Sequence, residues 1–108
     1  MVTGIALAGK PTAAQLSLIL QETVVCIGMD TAGMVPQVWV YPLPSGQGGV
    51  GETICQPLVE SFIVADSWPH LDKVYVILAS CRPYNREAIV AFLEKAIGPV
   101  LRQGSFEL

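Results

Sequence analysis

Apolar residues recur along the chain with two different periods, and the switches between them mark out its elements. Val2–Ala8, "VTGIALA", is a short apolar run closed by Gly9, Lys10 and Pro11, and reads as a strand. Thr12 and Gln15 form a T-x-x-Q capping box directly after Pro11. The following "AAQLSLILQETVVCIGM" stacks Leu16, Leu20, Val24 and Ile27 at spacings of three and four, which predicts a helix. Asp30–Gly33 is a turn, and the β-branched and aromatic Gln37–Tyr41 predicts a strand. A long glycine-rich connection, "PLPSGQGGVGET", comes next. Ile54–Asp66 then predicts one long strand, with Pro57 setting its start at an edge or bulge. "SWPHLD" reads as a turn, and Lys73–Ser80 as a strand that pairs with the one before it. Asn85 caps a second helix, "REAIVAFLEKAI", which Gly98 and Pro99 end. The order is βαβββα, to which Val100–Leu108 would add a frayed edge strand. This predicts an α/β (α+β) two-layer sandwich, an antiparallel sheet with two helices on one face.

Composition narrows the picture. A chain of 108 residues forms a single domain, residues 1–108. Hydrophobic residues make up 52% and charged residues 14%, and the mean hydropathy is +0.53. That is too apolar for disorder, and apolar enough to predict a homodimer with a buried face. The net charge is −3 with only six Lys and Arg, so no basic stripe exists to bind nucleic acid. The longest uncharged stretch, Thr31–Gly51, is interrupted by Pro36, Pro42 and Pro44 and cannot span a membrane. "MVTGIALAGK" lacks the basic start and cleavage site of a signal peptide. Three cysteines without a CxxC argue for a reducing compartment, and the expected location is cytoplasmic.

Candidate chemistry is sparse. "GQGGVG", Gly46–Gly51, has the letters of a dinucleotide fingerprint, but prolines precede it and a β-rich stretch follows. It reads as a loop lying near a ligand. His70 is the one histidine; it follows Trp68-Pro69 in a turn, with neither a G-x-S-x-G elbow nor metal-ligand spacing around it. Cys26 reads as core, and Cys55 has no evident partner. Cys81 ends a strand beside Arg82 at a helix entrance, a setting that suits proton transfer or nucleophilic work. Glu60-Ser61 interrupts the apolar run of the long strand. Alternation from Val59 puts Ser61 with Val59 and Ile63 on one face, and Asp66 with Glu60, Phe62 and Val64 on the other.

"ESFIVADSWPH", followed by "VYVILASC", resembles the signature of the bacterial and archaeal S-adenosylmethionine decarboxylases. That family carries Glu-Ser-His, a histidine five residues after the serine, Thr-Trp-Pro-Glu, and Thr-Cys about twenty residues on. Here Ser61 is followed by Asp66 at plus five, by Ser67-Trp68-Pro69, and by Ser80-Cys81. The resemblance is ungapped from about Gly49 to Cys81, and the flanking elements agree in order and length. It implies a chain that makes its own cofactor. In the family the serine hydroxyl attacks the preceding carbonyl, the peptide becomes an ester, and elimination leaves a pyruvoyl group on the new N-terminus. That group takes up the amine of a small-molecule substrate and accepts electrons as carbon dioxide leaves. Carried onto this chain, cleavage falls between Glu60 and Ser61, Ser61 becomes the pyruvoyl group, and Cys81 returns a proton to the product. Thr53 falls where the family has a serine that assists processing. The resemblance also implies a dimer with sites near the subunit interface.

Four positions depart from the pattern. Asp66 stands in place of the histidine that helps remove the serine's Cα proton, and a carboxylate is a weaker base than imidazole at neutral pH. Phe62 replaces the histidine after the serine, His70 replaces the glutamate after Trp-Pro, and "LAGK" lacks the family's N-terminal acidic residue. If Asp66 acts as the base, it must approach Ser61 or a neighbouring polar group, which requires a bulge or bend between the two. Ser61 itself is expected at the end of a tight local bend. Three functions follow: a pyruvoyl-dependent decarboxylase of S-adenosylmethionine or a related amino-acid substrate in polyamine synthesis; an unprocessed, inactive paralogue that binds or regulates a partner, pairing with an active relative; or a small-molecule binding protein unrelated to polyamines.

Overall fold

A computed structural model describes residues 1–43 and 49–107. Its elements are β1 (Val2–Ala8), α1 (Ala13–Cys26), β2 (Gln37–Pro42), β3 (Val50–Leu58), β4 (Ser61–Trp68), β5 (Lys73–Ser80), α2 (Arg86–Ala96) and β6 (Val100–Phe106), with a short 3-10 turn at Pro69–Leu71. The strands form one antiparallel sheet in the order β2-β3-β4-β5-β1-β6. Both helices lie on one face, so the α+β two-layer arrangement is as expected.

Local chemistry accounts for the helix boundaries. The Thr12 side chain accepts from the Gln15 amide at 3.1 Å while the Gln15 side chain accepts from the Thr12 amide at 2.8 Å, closing the capping box. Asn85 accepts from the Ala88 amide at 3.0 Å and starts α2. Leu16, Leu20 and Val24 of α1, with Ile89 and Leu93 of α2, press onto the inner positions of the strands. Those positions alternate as a half-covered sheet requires: Ile5 and Leu7, Ile63 and Ala65, and Val74, Val76 and Leu78 are buried. Among the described residues no helix lies over the other face. Trp39, Phe62, Tyr75, Ile77 and Phe106 stand exposed on it.

The expected order needs correction to βαββββαβ. The single strand expected over Ile54–Asp66 is a hairpin: β3 runs to Leu58, a two-residue turn occupies Val59-Glu60, and β4 starts at Ser61. Neither turn residue is one of the usual turn formers, and apolar alternation continues on both sides, so the pattern concealed the reversal. The turn closes because Glu60 takes φ of 62°. Pro57 lies beyond the last β2–β3 rung, Gln37 opposite Cys55, where β2 asks no hydrogen bond of it. Val100–Phe106 forms a full edge strand against β1.

Two cysteines also differ from expectation. Cys26 is exposed, because it ends α1 off the Leu16–Leu20–Val24 stripe. Cys81 is not at a helix entrance: α2 begins only at Arg86. Half of "GQGGVG", residues 46–48, lies outside the described residues, and the chain after Gly49 enters strand β3 rather than a helix, so the dinucleotide context is missing.

Candidate active site

The β3–β4 hairpin sets the Glu60–Ser61 bond at its tip. A non-glycine residue in the left-handed region costs about 1–2 kcal/mol, and such outliers gather where chemistry occurs. The Val59 amide donates to the Asp30 carbonyl at 2.9 Å, tying the turn to the loop after α1. The Glu60 carbonyl extends the ladder outward, accepting a long hydrogen bond of 3.5 Å from the Cys81 amide. The Glu60 carbonyl and the cysteine are therefore adjacent across two strand ends.

Ser61 stands opposite Ser80 in the β4–β5 register, and its hydroxyl donates to the Ser80 hydroxyl at 2.5 Å. Ser80 is buried, and its oxygen also accepts from the Arg82 amide at 2.9 Å. The two bonds fix the Ser61 oxygen on the inner side of the strand end. An open pocket begins there, bounded by Glu60, Ser61, Phe62, Ala79, Ser80 and Cys81 with Met1 and Glu107. It takes Ser61 and Ser80 from the inner face and Phe62 and Ala79 from the outer one. The Cys81 thiol is free and exposed at its rim.

Asp66 belongs to a second cluster. Its Oδ1 accepts from the Thr53 hydroxyl at 2.8 Å and the Tyr41 hydroxyl at 3.0 Å, and its Oδ2 accepts from the Trp68 indole at 2.7 Å. Thr53 stands directly opposite Asp66 across the β3–β4 ladder. Trp68 in turn stacks on His70, ring centres 6.1 Å apart, and meets Tyr75 edge-on. The whole group sits on the open face of the sheet.

Five expected site residues thus form two sets. Glu60, Ser61 and Cys81 come together, and so do Thr53 and Asp66. The sets do not meet within one chain. β4 pairs in unbroken register from Ser61 to Trp68, so the bulge that would carry Asp66 to Ser61 does not occur. Five residues of regular strand separate them by about 17 Å, with side chains on opposite faces. Ser80, Tyr41 and Trp68 were missed by sequence reasoning. Once the turn is fixed at Val59-Glu60, the β3–β4 register follows, Leu58 against Ser61 and Thr53 against Asp66; Trp68 and Ser80 stood in the motif without a role, and Tyr41 had no signal.

Among the described residues no group of three His, Cys, Asp or Glu side chains could hold a metal ion, and no helix is long and apolar enough to cross a membrane. Comparison with known proteins found no matching family model and no matching curated sequence.

Proposed function

We propose that this chain is an S-adenosylmethionine decarboxylase-like protein whose chemistry begins with cleavage of its own backbone between Glu60 and Ser61. The observation that carries this reading is the hairpin tip, where Glu60 is left-handed, Ser80 holds the Ser61 hydroxyl and the Cys81 amide donates to the Glu60 carbonyl. In the first step the Ser61 oxygen attacks the Glu60 carbonyl carbon. The Glu60–Ser61 amide bond breaks, an ester bond forms, and the Ser61 nitrogen becomes a free amine. The Cys81 amide, already aimed at the Glu60 oxygen, stabilises the negative charge that develops there. Loss of the Ser61 Cα proton then expels the Glu60 carboxylate, and water releases ammonia from the remaining enamine. Residues 1–60 and 61–108 separate, and the new N-terminus carries a pyruvoyl group.

The pocket suits that group: at position 61 it would face Phe62, Ala79, Ser80 and Cys81, with the thiol at the rim. When present, the group supplies the electron sink for decarboxylating an amine-bearing substrate, S-adenosylmethionine or a related amino acid. The chain's own contributions are the apolar wall of Phe62, the Ser80 hydroxyl that orients position 61, and the Cys81 thiol as proton donor to the product.

A homodimer belongs to this reading. Ser61 and Asp66 of one chain are too far apart to act on the same atom, so a site that uses both sets takes them from two copies. The open face of the sheet supports the same conclusion with its exposed Phe62, Tyr75 and Ile77.

One observation favours a second reading. Asp66 has both oxygens engaged by Thr53, Tyr41 and Trp68, the arrangement of a structural carboxylate rather than a free base. An unprocessed paralogue that binds or regulates a partner accommodates that directly. Intact mass of the purified protein separates the two. Self-cleavage yields two fragments that meet at residue 60, the second with a blocked N-terminus; a single mass for the uncut chain retires the decarboxylase reading.

A further inference from the structure

Among the described residues Gln56 is the only fully buried amide side chain, standing on the inner face of β3 between Ile54 and Leu58. Stability alone does not explain a glutamine there. Its Oε1 is sealed from solvent with no donor among the described residues, and an orphaned acceptor of that kind is costly where an apolar side chain would have none. Its Nε2, by contrast, is fully used: it donates to the Pro57 carbonyl at 2.8 Å and to the Met34 carbonyl at 3.1 Å. Both acceptors lie where the β2–β3 ladder has stopped. The last rung sets Gln37 against Cys55, so the next β3 residue whose backbone turns to that side is Pro57. Proline has no N–H to offer, and its carbonyl meets no strand there. The Gln56 amide fills the gap and joins β3 to the chain that leads into β2.

That chain is the α1–β2 loop, residues 27–36, and it bears directly on the candidate site. Its Asp30 carbonyl accepts from the Val59 amide at 2.9 Å, next to Glu60. Within the loop the Asp30 Oδ1 accepts from the Ala32 amide at 2.9 Å, and the Met34 amide donates to the Thr31 carbonyl at 2.9 Å. The contacts close a ring from Gln56 through Met34, Thr31 and Asp30 to Val59, and the chain itself returns from Val59 to Gln56. Ala32 takes φ of 50°, so backbone preference alone does not hold the loop in this shape. We propose that Gln56 is a positioning residue for the Glu60–Ser61 turn: it moors the α1–β2 loop to β3, and the moored loop holds the turn through Val59. Its own hydrogen bonds reach neither Glu60 nor Ser61. The assignment deepens the self-cleavage reading and rests on it for its purpose, since a hydroxyl attacks the preceding carbonyl only from a fixed geometry. The tether itself belongs to the uncut chain.

Amide hydrogen exchange, followed by NMR in a Ser61→Ala chain that cannot cleave, provides the test. Gln56→Met keeps the length and bulk of the side chain but cannot donate, and Gln56→Leu repeats the loss with a different shape. In both, the Val59 amide is expected to exchange about tenfold faster, the scale of one lost hydrogen bond. The Ile5 and Val76 amides, in the paired strands β1 and β5, are expected to keep their rates. Asp30→Ala removes the loop's own turn contact and is expected to act in the same way. The double variant should then exchange no faster than the quicker single one, because both changes release one loop. Equal acceleration at Val59, Ile5 and Val76 would show that Gln56 only supports the core, and an unchanged Val59 rate would show that the turn holds itself. Either result, or additive effects in the double variant, overturns the proposal. With Ser61 restored, Gln56→Met is expected to slow cleavage at 60–61 by a similar factor, and a cut at the wild-type rate also counts against it. A wild type that never cuts retires the self-cleavage reading and leaves the exchange result to decide the tether.

Discussion

Glu60 is the residue on which the local geometry turns. Its φ of 62° is a conformation that glycine adopts without penalty and glutamate does not. The strain lies in the peptide unit that would react, so relieving it separates stability from chemistry. Glu60→Gly is expected to stabilise the fold by about 0.5–1 kcal/mol, the left-handed penalty less glycine's extra entropy in the unfolded chain. A urea unfolding midpoint measures this. The same substitution slows any cleavage at 60–61, because the ground state no longer stores the strain. A lower midpoint would mean that the glutamate side chain supports the turn in some other way. Ser80 shows how little of such a site a sequence discloses. Ser80 and Cys81 both fall on the Thr-Cys pair of the resemblance, but only the register that sets Ser80 against Ser61 gives Ser80 a role.

At the scale of elements, most of the fold was legible. β1, both helix caps, β5 and the stop after α2 followed from periodicity and from Thr12, Asn85 and Gly98-Pro99, each of which acts through its immediate neighbours. The hairpin at Val59-Glu60 was not legible, because a left-handed glutamate has no sequence signature and a continuous alternation fits one strand as well as two. The early start of β3 at Val50 was hidden in the same way, behind glycines that read as loop. Gly98 illustrates a stronger local signal. Beyond ending α2 it lies against β1, and an added Cβ would come within 1.9 Å of the Ala8 carbonyl oxygen, at a φ of 156°. Neither backbone can yield easily, since the Ala8 amide is also bound to the Pro99 carbonyl. Gly98→Ala is therefore expected to destabilise the protein by about 3 kcal/mol, readable as a fall in thermal midpoint. A loss near the helix-propensity scale alone would show that the β1 contact is loose.

At the scale of the whole molecule, the sheet's open face joins the two halves of the candidate site. Six strands about 4.8 Å apart and some 25 Å long give a footprint of about 600 Å², of the order that each side of a standard interface buries. That face bears the Asp66 cluster, and the Ser61 pocket reaches it through Phe62 and Ala79. If two copies meet there, position 66 of one chain serves Ser61 of the other, and the histidine that the S-adenosylmethionine decarboxylases carry five residues after their serine can be supplied in trans. The experiment mixes isotope-labelled wild type with an unlabelled Ser61→Ala, Asp66→His chain by refolding them together. The second chain has no serine to cut but carries the imidazole, whereas the first keeps Ser61 and lacks the base. The expected outcome is cleavage of the labelled chain at 60–61 in the mixture and not on its own, detected by mass. Asp66→His alone serves as the control. If that variant is cut by itself while labelled wild type stays intact in the mixture, the base acts within one chain and the two-copy site is wrong. If neither is cut, more than the imidazole has been lost, and the saturated carboxylate of Asp66 marks a chain that binds rather than cleaves.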